Sequence, residues 1–358
     1  MLEAREVVRR LKEYHPPLGN RDGLRLDFNE NTAGCSPRVL EKLRELDGEI
    51  LARYPVREPA EQAVAAAFGV SPKELLLTNG TDEAIHLICE TYLEAADEAL
   101  VIVPTFAMYE IYAAATGARV ISIPAGQDFN FPTADVLSAI TGRTRFIAVA
   151  NPNNPTGAFA LLPDLVTIAK AAPDAAILID EAYFEFCGET MVPQWRELPN
   201  LFVSRTFSKA YGMAGLRIGV LMGNTGQMRV LRRANSPYNL NSVALACLPA
   251  ALDDKTFIDG YVAQSLESRR ELQSELEFWG LRFWPSRANF VLLYLGEHCK
   301  TFVSAMRTRG ILVRDRSSDY GCQDCVRITV GTREHNQRLL ASMREVFSEI
   351  GLLQKVAG

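Results

Sequence analysis

The strongest constraint in this chain is a repeated pattern. A short apolar run breaks sharply into Asn, Asp, Thr, Ser, Lys or Gly, and a longer stretch with helical spacing often follows. LLLT (75–78) runs into Asn79-Gly80-Thr81 and then the helical DEAIHLICETYL. ALVIV (99–103) stops at Pro104, ahead of a helix through Met108 to Ala115. RFIAVA (145–150) stops at Asn151-Pro152, AILI (176–179) at Asp180, and LFVS (201–204) at Arg205-Thr206. RIGVLM (217–222) reads as a further strand. Runs that are apolar throughout suit strands covered on both faces. Their alternation with helices predicts an α/β fold whose central sheet is mostly parallel. Ligands of such sheets bind beyond the carboxyl ends of the strands, which is where the polar clusters fall.

The texture changes after about residue 250. A long helical stretch near 254–279 is rich in Glu and Arg. NFVLLYL, a helix around Thr301–Arg309, ILVRD, VRITVG and a terminal helix from Glu334 follow. The organisation read from this is an amino-terminal arm (1–26), a large domain (27–250) and a smaller α+β domain (251–358).

Composition removes several function classes. Lys and Arg total 38 against 43 Asp and Glu, a net charge of −5, so no basic excess exists to neutralise a nucleic-acid backbone. No apolar run approaches the ~20 residues of a membrane span. The amino-terminal MLEAREVVRRLKEY is charged and lacks the apolar core of a signal peptide. A cytoplasmic, soluble protein is the expectation. Seven cysteines are an odd number, and only Cys322 and Cys325 are close. One C-x-x-C without a second pair reads as two reduced thiols near a strand entrance rather than a zinc site. His15, His86, His298 and His335 have no metal-ligand spacing, and no metal site is expected. His86, mid-helix in IHLI, is expected in the core or half-buried. The glycine-rich dinucleotide and phosphate-loop motifs are absent, as is the G-x-S-x-G of hydrolases.

Four strings carry chemistry. Gly80-Thr81-Asp82 opens a helix, where free N–H groups and the helix dipole favour an anion; a plain helix cap is the other reading of the same residues. Thr206-Phe-Ser208-Lys209 with Arg217 offers hydroxyls and a guanidinium suited to phosphate. Lys209 lies just past a core strand, and an amine desolvated near a cation becomes a nucleophile able to form a Schiff base. Asp180 directly follows AILI, and a carboxylate that deep needs a positive partner; a protonated pyridine nitrogen would be one, with Tyr183 in reach of the same ring. An Asp capping a loop is the alternative. Asn151-Pro-Asn153-Asn154-Pro-Thr-Gly157 imposes a stiff, non-helical loop able to hold an asparagine amide towards a ligand.

With LDFNEN (26–31), RYP (53–55), TNGTDEAI (78–85), PTFAMY (104–109), DEAYFEF (180–186), TFSKAYGMAGLRIG (206–219), ILVRD (311–315) and RITVGT (327–332) in the same order, the sequence resembles the fold-type-I pyridoxal-phosphate aminotransferases. More narrowly it resembles the histidinol-phosphate aminotransferase family. The resemblance implies a covalent link from Lys209 to pyridoxal phosphate and proton transfer by the same amine. It implies Asp180 on the pyridine nitrogen, with Asn154 and Tyr183 on the ring oxygen. Gly80, Thr81, Asp82, Thr206, Ser208 and Arg217 would hold the phosphate, and Phe106, where the family often has Tyr, would stack on the ring. Tyr54 would reach across a homodimer interface. Tyr14, Asn29, Arg314 and Arg327 would meet the substrate. The implied reaction passes an amino group between histidinol phosphate and 2-oxoglutarate. Aromatic and other amino-acid transaminases and threonine-phosphate decarboxylase share much of this pattern.

Overall fold

The structure is a computed structural model that describes residues 2–14, 19 and 21–353; His15 lies outside them. Thirteen strands are found among the described residues: β1 (Leu24–Arg25), β2 (Leu75–Thr78), β3 (Glu98–Val103), β4 (Arg119–Pro124), β5 (Thr144–Ala150), β6 (Ala176–Asp180), β7 (Leu201–Thr206), β8 (Gly219–Gly223), β9 (Phe283–Trp284), β10 (Phe290–Tyr294), β11 (Ile311–Leu312), β12 (Arg314–Asp315) and β13 (Cys325–Thr329).

The main sheet has the order β2-β8-β7-β6-β5-β3-β4. Strands β4, β3, β5, β6 and β7 run parallel, while β8 is antiparallel to both β7 and β2. The chain is thus an α/β protein with a mostly parallel central sheet. Side chains of successive strand residues alternate between two cores. Leu75, Leu77, Ile177, Ile179, Leu201 and Val203 pack on one face. Leu76, Ala176, Leu178 and Phe202 pack on the other. Burial on both faces is why these strands carry no polar alternation.

Two strand readings need correction. β8 starts at Gly219, because Arg217 adopts a left-handed conformation (φ 52°) and ends a short turn instead. Edge strand β4 was not expected. Most of its residues are half-buried or exposed, so RVISIP shows no continuous apolar run.

The four-stranded sheet β12-β13-β10-β9 is antiparallel and is backed by the helices Lys255–Phe278, Cys299–Thr308 and Arg333–Glu349. Leu24 and Leu26 join that core, and β1 pairs with β11. The chain then crosses to the main sheet through Asp27-Phe28-Asn29, which brings this segment to the junction of the two sheets. His86 is exposed, correcting its expected burial; its ring lies 4.9 Å from that of Tyr112. Cys322 and Cys325 are free, buried thiols, and β13 begins at Cys325. Among the described residues, no helix is long and apolar enough to cross a membrane, and no cluster of His, Cys, Asp or Glu could hold a metal.

Candidate active site

The carboxyl ends of β5, β6 and β7 open into a cavity of about 240 Å³. Thr81, Asp82, Phe106, Asn154, Asp180, Tyr183, Thr206, Ser208, Lys209 and Arg217 all line it. Residues from five sequence segments converge because each follows a strand of one sheet.

Asp180 ends β6 and is buried. Register places Ser204 opposite it, and the Ser204 hydroxyl donates to Oδ1 at 2.9 Å. The Tyr109 hydroxyl donates to Oδ2 at 2.6 Å. Burial nonetheless pushes the carboxyl up to about 6, with the two hydroxyls opposing. Glu181, the next residue, leaves in the other direction. It accepts from the Arg205 guanidinium (2.9 and 3.0 Å) and the Met191 amide (2.7 Å), and Arg205 stacks 3.4 Å over Phe184. This buried pair fixes the turn that carries Asp180 and Tyr183.

Two asparagines of the proline-rich loop serve structural partners, one close in the chain and one in the segment after β3. Asn151 bonds both the N–H and the C=O of Ala160, and Asn153 bonds Pro104 and Thr105. Asn154 alone faces the cavity. Its Oδ1 accepts from Arg327, so its amide N–H groups are left to donate. The Tyr183 hydroxyl accepts from Asn29 Nδ2 at 2.9 Å, which leaves its own proton to donate. Two donors therefore line the same cavity.

At the rim, the helix Gly80–Tyr92 starts directly after β2. Gly80 has φ 71°, and a Cβ there would stand 2.5 Å from Arg217 Nη2. The missing side chain is what lets the guanidinium lie over the helix start. Arg217 also pairs with Asp82 at 3.1 Å. An Ala at position 80 would displace the Arg217 guanidinium from the helix start and strain the left-handed backbone.

Lys209 Nζ donates to the Phe28 carbonyl at 2.8 Å. Burial, then the charges of Arg327 and Arg217, draw the amine down to about 8. The segment 27–29 therefore serves three partners in succession. The Asp27 carbonyl accepts from Arg327 at 2.6 Å, the Phe28 carbonyl from Lys209, and Asn29 donates to Tyr183. Asn29 adopts a left-handed conformation (φ 57°), held by Thr329 and Asn289. Arg327 is 4% exposed, and its Nε has no partner. Arg314 lies opposite it on β12, over the Phe28 ring, with Nη1 unpaired.

None of the five expected substrate residues is in the cavity lining itself: Asn29 and Arg327 adjoin it through Tyr183 and Asn154, and Arg314 lies opposite Arg327. Tyr14 is exposed beside Arg314. Tyr54 is 75% exposed, stacks on Tyr238 at 4.2 Å, and does not line the cavity of its own chain. The sequence reading missed Tyr109 and Ser204 on Asp180, and the carbonyls of Asp27 and Phe28. Tyr109 was visible inside PTFAMY, but strand register and carbonyl direction leave no mark in a sequence.

A buried acid, an amine at lowered affinity for protons and a helix start with hydroxyls and a guanidinium fit a phosphorylated pyridine aldehyde. The family model for aminotransferase class I and II matches residues 21–343. A histidinol-phosphate aminotransferase of Geobacillus sp. (strain WCH70) is 34% identical over 98% of this chain and 100% of its own length. The crystal structure of histidinol-phosphate aminotransferase from Sinorhizobium meliloti, in complex with pyridoxal-5'-phosphate, has a TM-score of 0.88 at 24% identity, over 98% of this chain and 99% of that one. L-threonine-O-3-phosphate decarboxylase from Porphyromonas gingivalis has the same fold, with a TM-score of 0.76 at 22% identity over 91% and 99%. The chain belongs to the class I and II aminotransferases and is a fold-type-I pyridoxal-phosphate enzyme. Within them it belongs with the histidinol-phosphate aminotransferases, matched at 32–34% identity along nearly its whole length.

Proposed function

We propose that this enzyme passes an amino group between histidinol phosphate and 2-oxoglutarate, giving imidazole-acetol phosphate and glutamate. The reaction belongs to histidine biosynthesis and takes place in the cytoplasm. The observation that carries this reading is Arg327, a buried guanidinium with an unpaired Nε, whose charge acts on the Lys209 amine. A buried cation of this kind needs an anion, and both substrates bring one.

Pyridoxal phosphate, when bound, supplies an electron sink for the pair left behind as the substrate's α-proton departs. The Thr206 and Ser208 hydroxyls, Arg217 and the helix start at Gly80, Thr81 and Asp82 would hold its phosphate. Asp180 would keep the pyridine nitrogen protonated. Asn154 and Tyr183 would donate to the ring oxygen, and Phe106 would lie against the ring face. Lys209 is the proton carrier. Its Nζ would take the substrate's α-proton as the free base and release it again as the conjugate acid. Arg327 and Arg314 would orient the substrate through its anionic tail, with Tyr14 and Asn29 closing the near side. The Asn29 bond to Tyr183 ties that closure to the ring oxygen.

Residues 27–250 would form the cofactor-binding domain and 251–358 a smaller one, with 1–26 as an arm over the site. The active unit would be a homodimer in which Tyr54 enters the partner's cavity; its exposure and distance from its own cavity support this. A mixture of a Tyr54→Ala and a Lys209→Ala protein should regain up to about a quarter of wild-type activity, because one hybrid site then holds both native residues. Activity no greater than that of the separate proteins would remove the shared site.

Purified protein should turn over histidinol phosphate with 2-oxoglutarate in preference to phenylalanine or phosphothreonine. Absence of turnover with millimolar histidinol phosphate would retire this substrate. Carbon dioxide release from phosphothreonine would install the decarboxylase reading instead.

A further inference from the structure

We propose that Arg316 joins Arg314 and Arg327 in a three-guanidinium pocket for the terminal phosphate of the substrate, and so sets the preference for phosphorylated over carboxylate substrates. The inference rests on the function proposed above and adds a residue to it.

The register of β12 and β13 places Arg314 directly opposite Arg327. Arg316 follows Arg314 by two, and its N–H bonds the Cys325 carbonyl in continuation of the ladder. Residues two apart on a strand share a face, so all three guanidinium groups leave one side of the sheet. Like charges placed opposite one another destabilise a sheet. Each of the three also keeps one buried nitrogen without a partner: Nη1 of Arg314, Nε of Arg316 and Nε of Arg327. Of the neighbouring charges that depress Arg327, Arg316 is the largest, ahead of Arg314. Arg316 also acts on the Tyr183 hydroxyl. Its side chain is only 12% exposed, so this is not a solvated surface charge.

Among the described residues, the carboxylates around this group pair mostly elsewhere. Arg21 takes both Asp27 and Glu30. Asp315 alternates to the opposite face and lies against Cys299. Asp319 remains, paired with Arg316. Three guanidiniums and one carboxylate leave two positive charges, which matches a phosphate dianion. The single carboxylate of the amino-acid substrate at this end needs one. Asp319 thereby holds Arg316 in place and moderates its pull.

The test compares half-reactions of the holoenzyme by rapid mixing. In Arg316→Gln, the ratio of kcat/KM for histidinol phosphate over that for glutamate should fall about 10- to 100-fold, mainly through KM. Inorganic phosphate, as a competitor of glutamate, should lose potency by a similar factor. Arg316→Lys should recover part of both effects, and Asp319→Asn should strengthen phosphate inhibition. Equal losses in both half-reactions, or phosphate inhibition unchanged in Arg316→Gln, would overturn the proposal. If the wild-type enzyme rejects histidinol phosphate, the substrate assignment fails, while phosphate competition still decides the role of Arg316.

Discussion

Lys209→Ala should lower single-turnover amino transfer by about 10⁴-fold or more while the chain still folds. Among the described residues that line the cavity, Lys209 is the one amine, and the other cation, Arg217, is a guanidinium. A small exogenous amine should rescue part of the rate, because the proton lacks only a carrier. Borohydride reduction of the wild-type holoenzyme should label the peptide bearing Lys209. The native amine sits near pH 8 because of burial and Arg327. As pH rises through 8 the free base grows, so association of pyridoxal phosphate with cofactor-free enzyme should accelerate between pH 7 and 9. An unchanged rate in Lys209→Ala, or label elsewhere, would end the present reading of the site.

Asp180→Asn should retain cofactor yet lose about 10³-fold in the proton-transfer step, since a neutral side chain cannot hold the pyridine nitrogen protonated. The same substitution should stabilise the cofactor-free chain at pH 8. Burial raises the folded-state value from 3.8 to about 6, so ionised Asp180 costs the cofactor-free fold roughly 3 kcal/mol. The folded state holds this proton more tightly than the unfolded one. The group's favourable contribution is therefore complete below about pH 4 and is lost as pH rises through 6. Denaturant midpoints of wild type and variant at pH 5 and pH 8, with and without pyridoxal phosphate, separate the two effects. A difference that does not change with pH would show that Asp180 carries no such charge.

The same pair of residues shows how far sequence reading extends. Asp180 was legible because an apolar run ends on it, and a carboxylate there is conspicuous. The two hydroxyls that grip it were not. Tyr109 arrives from a helix 71 positions earlier, and Ser204 is opposite only through the register of β6 and β7. Arg314 and Arg327 were legible through resemblance, but their direct opposition was not. The excess positive charge around Arg316 arises only where β12 meets β13. His86 illustrates the reverse error: an apolar neighbourhood in sequence did not mean burial, because one helix carries both faces.

The sequence alone determined the class of sheet and set Lys209, Asp180 and the candidate phosphate-holding groups at the ends of its apolar runs, while the roles proposed for them come from family resemblance. The sheet class and the placement follow from local hydrophobic periodicity, which acts over a few positions. The tertiary structure alone decided which donors and acceptors pair, how strongly each proton is held, and which charges remain unmatched. Those depend on distances of a few ångströms between segments far apart in the chain, where solvent is excluded and small displacements change the electrostatic energy.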